Sequence, residues 1–191
     1  MNTITIFGSG SMGQAIGGVL ARGGASIQYV GSGDTTSRID GDIVVLAVPY
    51  PALEKIAEDY ADQLEGRTVV DITNPLDFTT FDTLVVPADG SAAAELQTAL
   101  PTARVVKAFN TNFAATLVAG TVGGQKTTVL VAGDDIAAKN ALTAAIQAGG
   151  LDAVDAGALV RSRELEALGF LQLTLAASEK IGWNAGFALA R

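Results

Sequence analysis

The sequence predicts an α/β protein with an open, doubly wound, mostly parallel sheet, and three observations predict it. Short β-branched runs recur along the chain, helical segments separate most of them, and a glycine-rich turn joins the first run to the first helix. Thr3 to Phe7 is β-branched and aromatic and is ended by glycine, the pattern of a buried strand. A helix is expected from Gly13 to Arg22, and a second strand from Ser26 to Val30, closed by Gly31-Ser32-Gly33. Strand, helix and strand within roughly 30 residues have the size of a right-handed βαβ unit.

Further strands are predicted from Ile43 to Ala47, Thr68 to Ile72, Arg104 to Ala108, Thr127 to Ala132 and Ala153 to Ala156. Their nearly continuous apolar character suits strands covered by helices on both faces. Helices are expected from Tyr50 to Leu64, Ser91 to Leu100 and Asp135 to Ala148, and a last, mostly apolar one from about Leu159 to Ala176. The expected division is an α/β domain over 1–157 and a helical extension over 158–191, packed on that domain or on a partner. Ligands on such sheets sit at the carboxyl ends of the strands, so functional residues should follow the strands.

Composition narrows the chemistry. The 191 residues suffice for one well-packed domain or one with a short appendage, and the chain holds neither cysteine nor histidine. That excludes disulfides, thiolate nucleophiles, serine-histidine triads and histidine or cysteine metal sites, leaving only carboxylate metal sites conceivable, and no metal site is assigned. A formal charge of −8 with a pI near 4.4 argues against a nucleic-acid surface. Apolar residues, 49% of the chain, are interrupted too often to span a bilayer, so no membrane partner is expected. Met1 runs almost directly into the first strand without a leader pattern, and a cytoplasmic location is the expectation.

Gly8-Ser9-Gly10-Ser11-Met12-Gly13 matches G-x-G-x-x-G. Such a string alone is weak in a chain with 22 glycines, but here it follows a strand and opens a helix. In that Rossmann-type setting Gly8 permits the tight turn, Gly10 lets a pyrophosphate approach, and Gly13 lets helix and strand pack closely. The free amides of Ser11 and Met12 then face the anion.

Nucleotide choice is made after the second strand, where NAD-preferring folds carry an acidic residue. Here Gly31 stands there, followed by Ser32, Thr35, Thr36 and Arg38, which favours the 2′-phosphate of NADP(H). Asp34 counts against that reading, and Arg38 is otherwise an ordinary solvated loop residue. Ala47-Val48-Pro49 either just ends a strand or floors the nicotinamide ribose site. Asn74-Pro75 and Asn110-Thr111 offer amides and a hydroxyl at the rim of the same crevice, although asparagine is also common in turns. Lys107, just inside the fifth strand, is either a residue of the same site or a surface cation at the strand end.

With these residues in view, the chain resembles the deazaflavin-dependent NADP oxidoreductases. The resemblance runs over nearly the whole length, through the turn from Gly8 to Gly13, Val45-Leu46-Ala47-Val48-Pro49, Gly133-Asp134-Asp135, Asp155-Ala156-Gly157-Ala158-Leu159 and Ser162-Arg163-Glu164-Leu165-Glu166. It implies a Rossmann sheet with a small helical cap, and hydride transfer between NADPH and an 8-hydroxy-5-deazaflavin. It also implies an acceptor side built partly by the loops at Asn74-Pro75-Leu76 and Phe109-Asn110-Thr111. Two departures stand out: Gly33 replaces the family's usual arginine, and only about ten residues separate Gly31 from the third strand, so a helix expected there is missing.

Hydride transfer between two ring cofactors needs alignment at roughly 3–3.5 Å and no obligatory side-chain acid or base, which suits a chain without histidine or cysteine. No catalytic side chain is therefore assigned, and the acceptor is a deazaflavin, a flavin or a similar planar molecule. Two other readings are an imine or hydroxyacid dehydrogenase, which ordinarily adds a large helical domain, and a module that senses NADP(H) or binds a partner without turnover. The stretch from Leu165 to Ala176 is apolar around most of a helix and must be buried, on its own domain or in a homodimer interface that also walls the acceptor pocket. A homodimer is the expectation.

Overall fold

A computed structural model describes residues 3–190 of the chain, so positions 1, 2 and 191 of the expected division lie outside the described residues. The elements run β1 (Thr3–Phe7), α1 (Ser11–Arg22), β2 (Ser26–Val30), β3 (Ile43–Leu46), α2 (Ala52–Leu64), β4 (Thr68–Asp71), α3 (Ala92–Ala99) and β5 (Arg104–Lys107). They continue with α4 (Ala114–Ala119), a short hairpin of β6 (Thr121–Val122) and β7 (Gln125–Lys126), then β8 (Thr128–Gly133), α5 (Ile136–Ala148), β9 (Asp152–Gly157), a 3-10 turn at Leu159–Arg161 and α6 (Ser162–Ala177). Seven strands form one sheet in the order β2-β1-β3-β4-β5-β8-β9. The sheet is parallel except at β5 and β8, which run antiparallel through Val106↔Gly133 and Lys107↔Ala132. The order reverses between β1 and β3, and the crevice at their carboxyl ends is where a ligand is held in such a fold.

Two apolar layers sandwich the sheet. Ile16, Val19 and Leu20 of α1 and Leu142 and Ile146 of α5 pack with Ile4, Ile6, Val106 and Val131 on one face. Leu53, Tyr60 and Leu64 of α2 and Leu96 of α3 pack with Phe7, Val44, Leu46 and Val69 on the other. Alternate residues of the central strands thus enter different layers, as the period of a strand covered on both faces demands. Caps fix the helices that sequence placed well: Ser91 Oγ accepts the Ala94 amide at 3.1 Å, and Asp135 Oδ1 accepts that of Ala138 at 2.7 Å.

The missing helix between β2 and β3 is replaced by side chains. Gln63 Oε1 accepts the Ile39 amide at 2.8 Å, Gln28 Nε2 donates to the Arg38 carbonyl at 2.7 Å, and Arg67 Nη2 donates to the Ile39 carbonyl at 3.2 Å. Ile39 is buried beneath them, so the connection keeps an apolar anchor and its backbone partners without a helix.

Two expectations need correction, and helix α4 and the β6–β7 hairpin occupy a stretch to which the sequence pattern assigned no element. Only one stripe of α6 is buried, made of Ser162, Leu165, Glu166, Gly169, Gln172 and Ala176, whereas Leu171 is about half exposed at 49%. The helix packs by that stripe on its own chain, and half of the stripe is polar. Lys107 is fully buried, not a surface cation. Among the described residues, no helix is long and apolar enough to cross a membrane.

Candidate functional site: a crevice at the strand ends

The turn after β1 is shaped by what its glycines exclude. Gly8 has φ +94°, and a Cβ there would stand 2.2 Å from the Ala47 carbonyl oxygen; at Gly13 one would stand 2.1 Å from that of Gly8. Neither position admits a side chain, because the turn, β3 and α1 already touch. Gly10 differs: a Cβ there meets nothing within 4 Å, so its missing side chain leaves open space beside the crevice. Gly10 caps α1 without a side-chain acceptor, and the first-turn amides of Ser11 and Met12 are left to a ligand. A bare helix start under an open glycine fits the pyrophosphate of a dinucleotide.

The crevice beside this turn has a volume of about 830 Å³. Gly10, Ser11, Met12 and Gly13 line one side, and Ala47, Val48, Pro49 and Tyr50 continue the wall from β3. Ile72, Thr73 and Asn74 after β4, and Phe109, Asn110, Asn112 and Phe113 after β5, form the far side. Phe78, Ala114, Ala115, Leu173 and Trp183 complete the lining, which carries no charged side chain.

Of the residues expected from sequence, Gly10 to Gly13, Ala47 to Pro49, Asn74 and Asn110 therefore meet in one crevice. Pro75 is buried behind it, its carbonyl held by the Val85 amide at 2.7 Å. Thr111 lies instead in a separate small cavity with Thr128, Leu168 and Phe187. Gly8 is packed against Ala47 and Ser9 is exposed on the turn. Gly31, Ser32, Thr35, Thr36 and Arg38 stand on the exposed loop after β2, outside the lining. There Asp34 turns its carboxylate into its own loop: the Ser37 hydroxyl donates to it, as do the amides of Thr36 at 3.0 Å and Ser37 at 2.9 Å. Those bonds, the Ser37 hydroxyl first, hold its carboxyl below the usual range. Arg38 is 90% exposed and lies 3.6 Å from Asp40.

Beneath the far wall lies a buried ionic cluster that sequence reading missed. Lys107 Nζ donates to Asp71 Oδ2 at 2.8 Å, to Glu166 Oε1 at 2.7 Å and to the Thr73 carbonyl at 2.6 Å, and all three charged side chains are at most 1% exposed. Asp71 Oδ1 accepts the Thr73 amide at 2.7 Å, and Glu166 accepts the Ala92 amide, at 3.0 Å, at the start of α3. One cation serves two carboxylates, so burial, helped by Asp71, raises the Glu166 carboxyl while Lys107 pulls the other way. The cluster ties β4, β5, α3 and α6 together under Thr73 and Asn74.

Asparagines make the second tie. Asn74 Nδ2 donates to the Asn110 carbonyl at 2.8 Å; Asn110 Nδ2 donates to Asn74 Oδ1 at 2.9 Å and to the Leu165 carbonyl at 2.8 Å. Helix α6 can come this close only at Gly169, where a Cβ would stand 2.3 Å from Asn74 Oδ1. Phe109, just before Asn110, holds φ +63° while fully buried, backbone strain kept by the surrounding packing. Nearby, Tyr50 donates to Glu95 Oε2 at 2.5 Å, and burial followed by that carboxylate pushes its hydroxyl up to about 12.

Comparison with known proteins decides the family. The F420-dependent NADP reductase of Methanocaldococcus jannaschii is 30% identical over 154 residues, which cover 78% of this chain and 69% of that protein. This chain belongs to the F420-dependent NADP oxidoreductase family. The family profile described as NADP oxidoreductase, coenzyme F420-dependent, matches residues 33–75, from the loop after β2 to the far wall. A crystal structure from Arthrobacter sp. FB24, provisionally assigned as an F420-dependent NADP-reductase, superposes with a TM-score of 0.86 at 25% identity, covering 98% of this chain and 99% of the other. The metalloreductase STEAP3 of Rattus norvegicus is 36% identical over 108 residues, 56% of this chain but only 21% of that protein. An imine reductase from Bacillus cereus shares the fold alone, with a TM-score of 0.65 at 15% identity; this chain covers 62% of it.

Proposed function

We propose that the family's reaction takes place in this crevice: hydride transfer between NADP(H) and a deazaflavin. When bound, NADPH would supply a hydride that the deazaflavin would accept together with a proton from solvent. The chain's own part is to bind, orient and exclude water. Gly8 to Gly13 receive the pyrophosphate, Ala47-Val48-Pro49 floor the nicotinamide ribose, and Asn74 and Asn110 hold the far wall. Gly31, Ser32, Thr35, Thr36 and Arg38 meet the 2′-phosphate once the cofactor lies across the loop. Asp34 keeps its charge, but its carboxylate is bonded to the amides and hydroxyl of its own loop. No side chain is assigned as an acid or base.

The observation that carries this reading is the junction in a single crevice of bare helix-start amides with an uncharged, aromatic-rich wall. The direct test follows the loss of reduced-nicotinamide absorbance with NADPH and NADH against a deazaflavin, FMN, FAD and a ferric chelate. Turnover with NADPH and the deazaflavin is expected. Tight NADPH binding without consumption of any acceptor would replace the enzyme by a sensing module, and preference for the chelate would move the reading towards a metalloreductase.

The proposed working unit is 1–157 carrying the nucleotide and 158–191 closing the acceptor side, in a cytoplasmic homodimer. Val160, Leu171, Phe187 and Leu189, 45–60% exposed, support pairing through the cap. Light scattering of the full chain at the mass of one copy overturns the dimer.

A further inference from the structure

Half-exposed aromatic side chains that line one crevice offer ring faces to a ligand. Phe78 is 58% exposed and Trp183 is 55% exposed; they come from segments more than a hundred positions apart, yet both line the crevice. We propose that Phe78 and Trp183 set acceptor specificity, taking the acceptor ring by face contact, so that the protein selects a planar tricyclic ring and does not read any anionic side chain attached to it. This rests on the hydride-transfer reading and names what that site recognises.

Both residues sit on ordered backbone. The loop carrying Phe78 is closed by the Leu76↔Leu84 bridge and by the Asp77 amide donating to the Thr83 carbonyl at 2.9 Å. Asp77 accepts the Thr79 amide at 2.8 Å and the Thr80 hydroxyl at 3.0 Å, and Phe81 stands edge-on to Phe78 at 5.6 Å. Trp183 leans on Phe113 at 5.1 Å, and the segment after it is pinned where the Phe187 amide donates to Oε1 of the buried Gln172 at 3.3 Å. Rings held this way lose little freedom when they meet a ligand, the condition under which stacking contributes most to affinity.

The lining offers no support for the alternative mode of recognition. An anionic tail is ordinarily held by arginine or lysine, and the crevice lining contains neither. What remains on the acceptor side is a set of rings and neutral amides, which suits a flat, uncharged ring system.

Trp183 is the chain's only tryptophan, so its emission reports the site directly. The full chain, without nicotinamide, is titrated with an 8-hydroxy-5-deazaflavin bearing an anionic side chain and with the corresponding deazariboflavin lacking it, corrected for absorbance. Saturable quenching by both is expected, with dissociation constants within about threefold. Phe78→Ala should raise the KM for either acceptor about tenfold and leave the KM for NADPH within twofold. Trp183→Ala should do the same, and Trp183→Phe should restore most of the loss; a merely structural role would shift thermal melting and the NADPH KM instead. Turnover without quenching, an acceptor KM unmoved in both alanine variants, or binding more than tenfold tighter for the anionic form overturns the proposal. Quenching without turnover leaves the aromatic site standing and sinks the hydride-transfer reading, so the two failures are distinct.

Discussion

The two sides of the crevice are built from different materials. The side proposed for the nucleotide is mostly backbone: six consecutive residues from Gly8 to Gly13, shaped by glycines and a bare helix start. The side proposed for the acceptor is mostly side chain, drawn from the ends of β4 and β5, the loop at Phe78, helix α6 and the segment at Trp183. Backbone recognition can be written in one short motif because the groups that meet the ligand are neighbours in sequence. Side-chain recognition is assembled by the fold, and here it stands on a buried ionic floor.

The sharpest way to break that contrast is to remove the floor. Lys107→Met leaves two buried carboxylates facing each other without their cation, and a loss of about 3–5 kcal/mol in urea-unfolding stability is expected. A loss under 1 kcal/mol shows that the floor is not ionic in the sense described.

Next come the glycines, which separate packing from binding on the nucleotide side. Gly10→Val, entering open space, should keep the melting temperature and weaken NADPH binding about a hundredfold by calorimetry. Gly13→Val, meeting the Gly8 carbonyl, should fail to accumulate as folded protein. Equal behaviour of the two variants removes the distinction between an open and a packed glycine.

A smaller effect is expected at the outer loop. Arg38→Ala should raise the KM for NADPH about tenfold and leave that for NADH unchanged, because an exposed guanidinium contributes only modestly through a charged hydrogen bond. Equal effects on both nucleotides would show that Arg38 does not read the 2′-phosphate.

The smallest effect is a slope. Since burial raises the Glu166 carboxyl, its folded state holds a proton more tightly than the unfolded chain does. That contribution to stability is full below the ordinary glutamate range and is lost as pH rises through the raised folded value. Unfolding free energy across that window should therefore fall with pH in the unaltered chain and fall less in Glu166→Gln, as followed by denaturant midpoints.

How much was legible differs along the same line. The βαβ start, the glycine turn and the strand ends at Ala47, Asn74 and Asn110 were readable because local patterns, a period of two and a strand-turn-helix order, act over a few residues. Lys107 could not be placed from sequence because a lysine at a strand end can equally be a solvated tip; Asp71 and Glu166, 36 and 59 positions away, decide that it is buried. Phe78 carried no periodic signal, and the polar half of the buried stripe on α6 was hidden in a run that looks apolar. Helix α4, six residues long, is too short to show a helical period.

By itself the sequence determined the mostly parallel sheet and the glycine turn between its first strand and first helix, since steric and hydrogen-bonding rules there apply between neighbours. Only the tertiary structure decided the acceptor side. There, each contact joins residues that the chain separates widely, and whether a lysine is solvated or paired, or an aromatic ring buried or offered to a ligand, depends on what the fold brings against it.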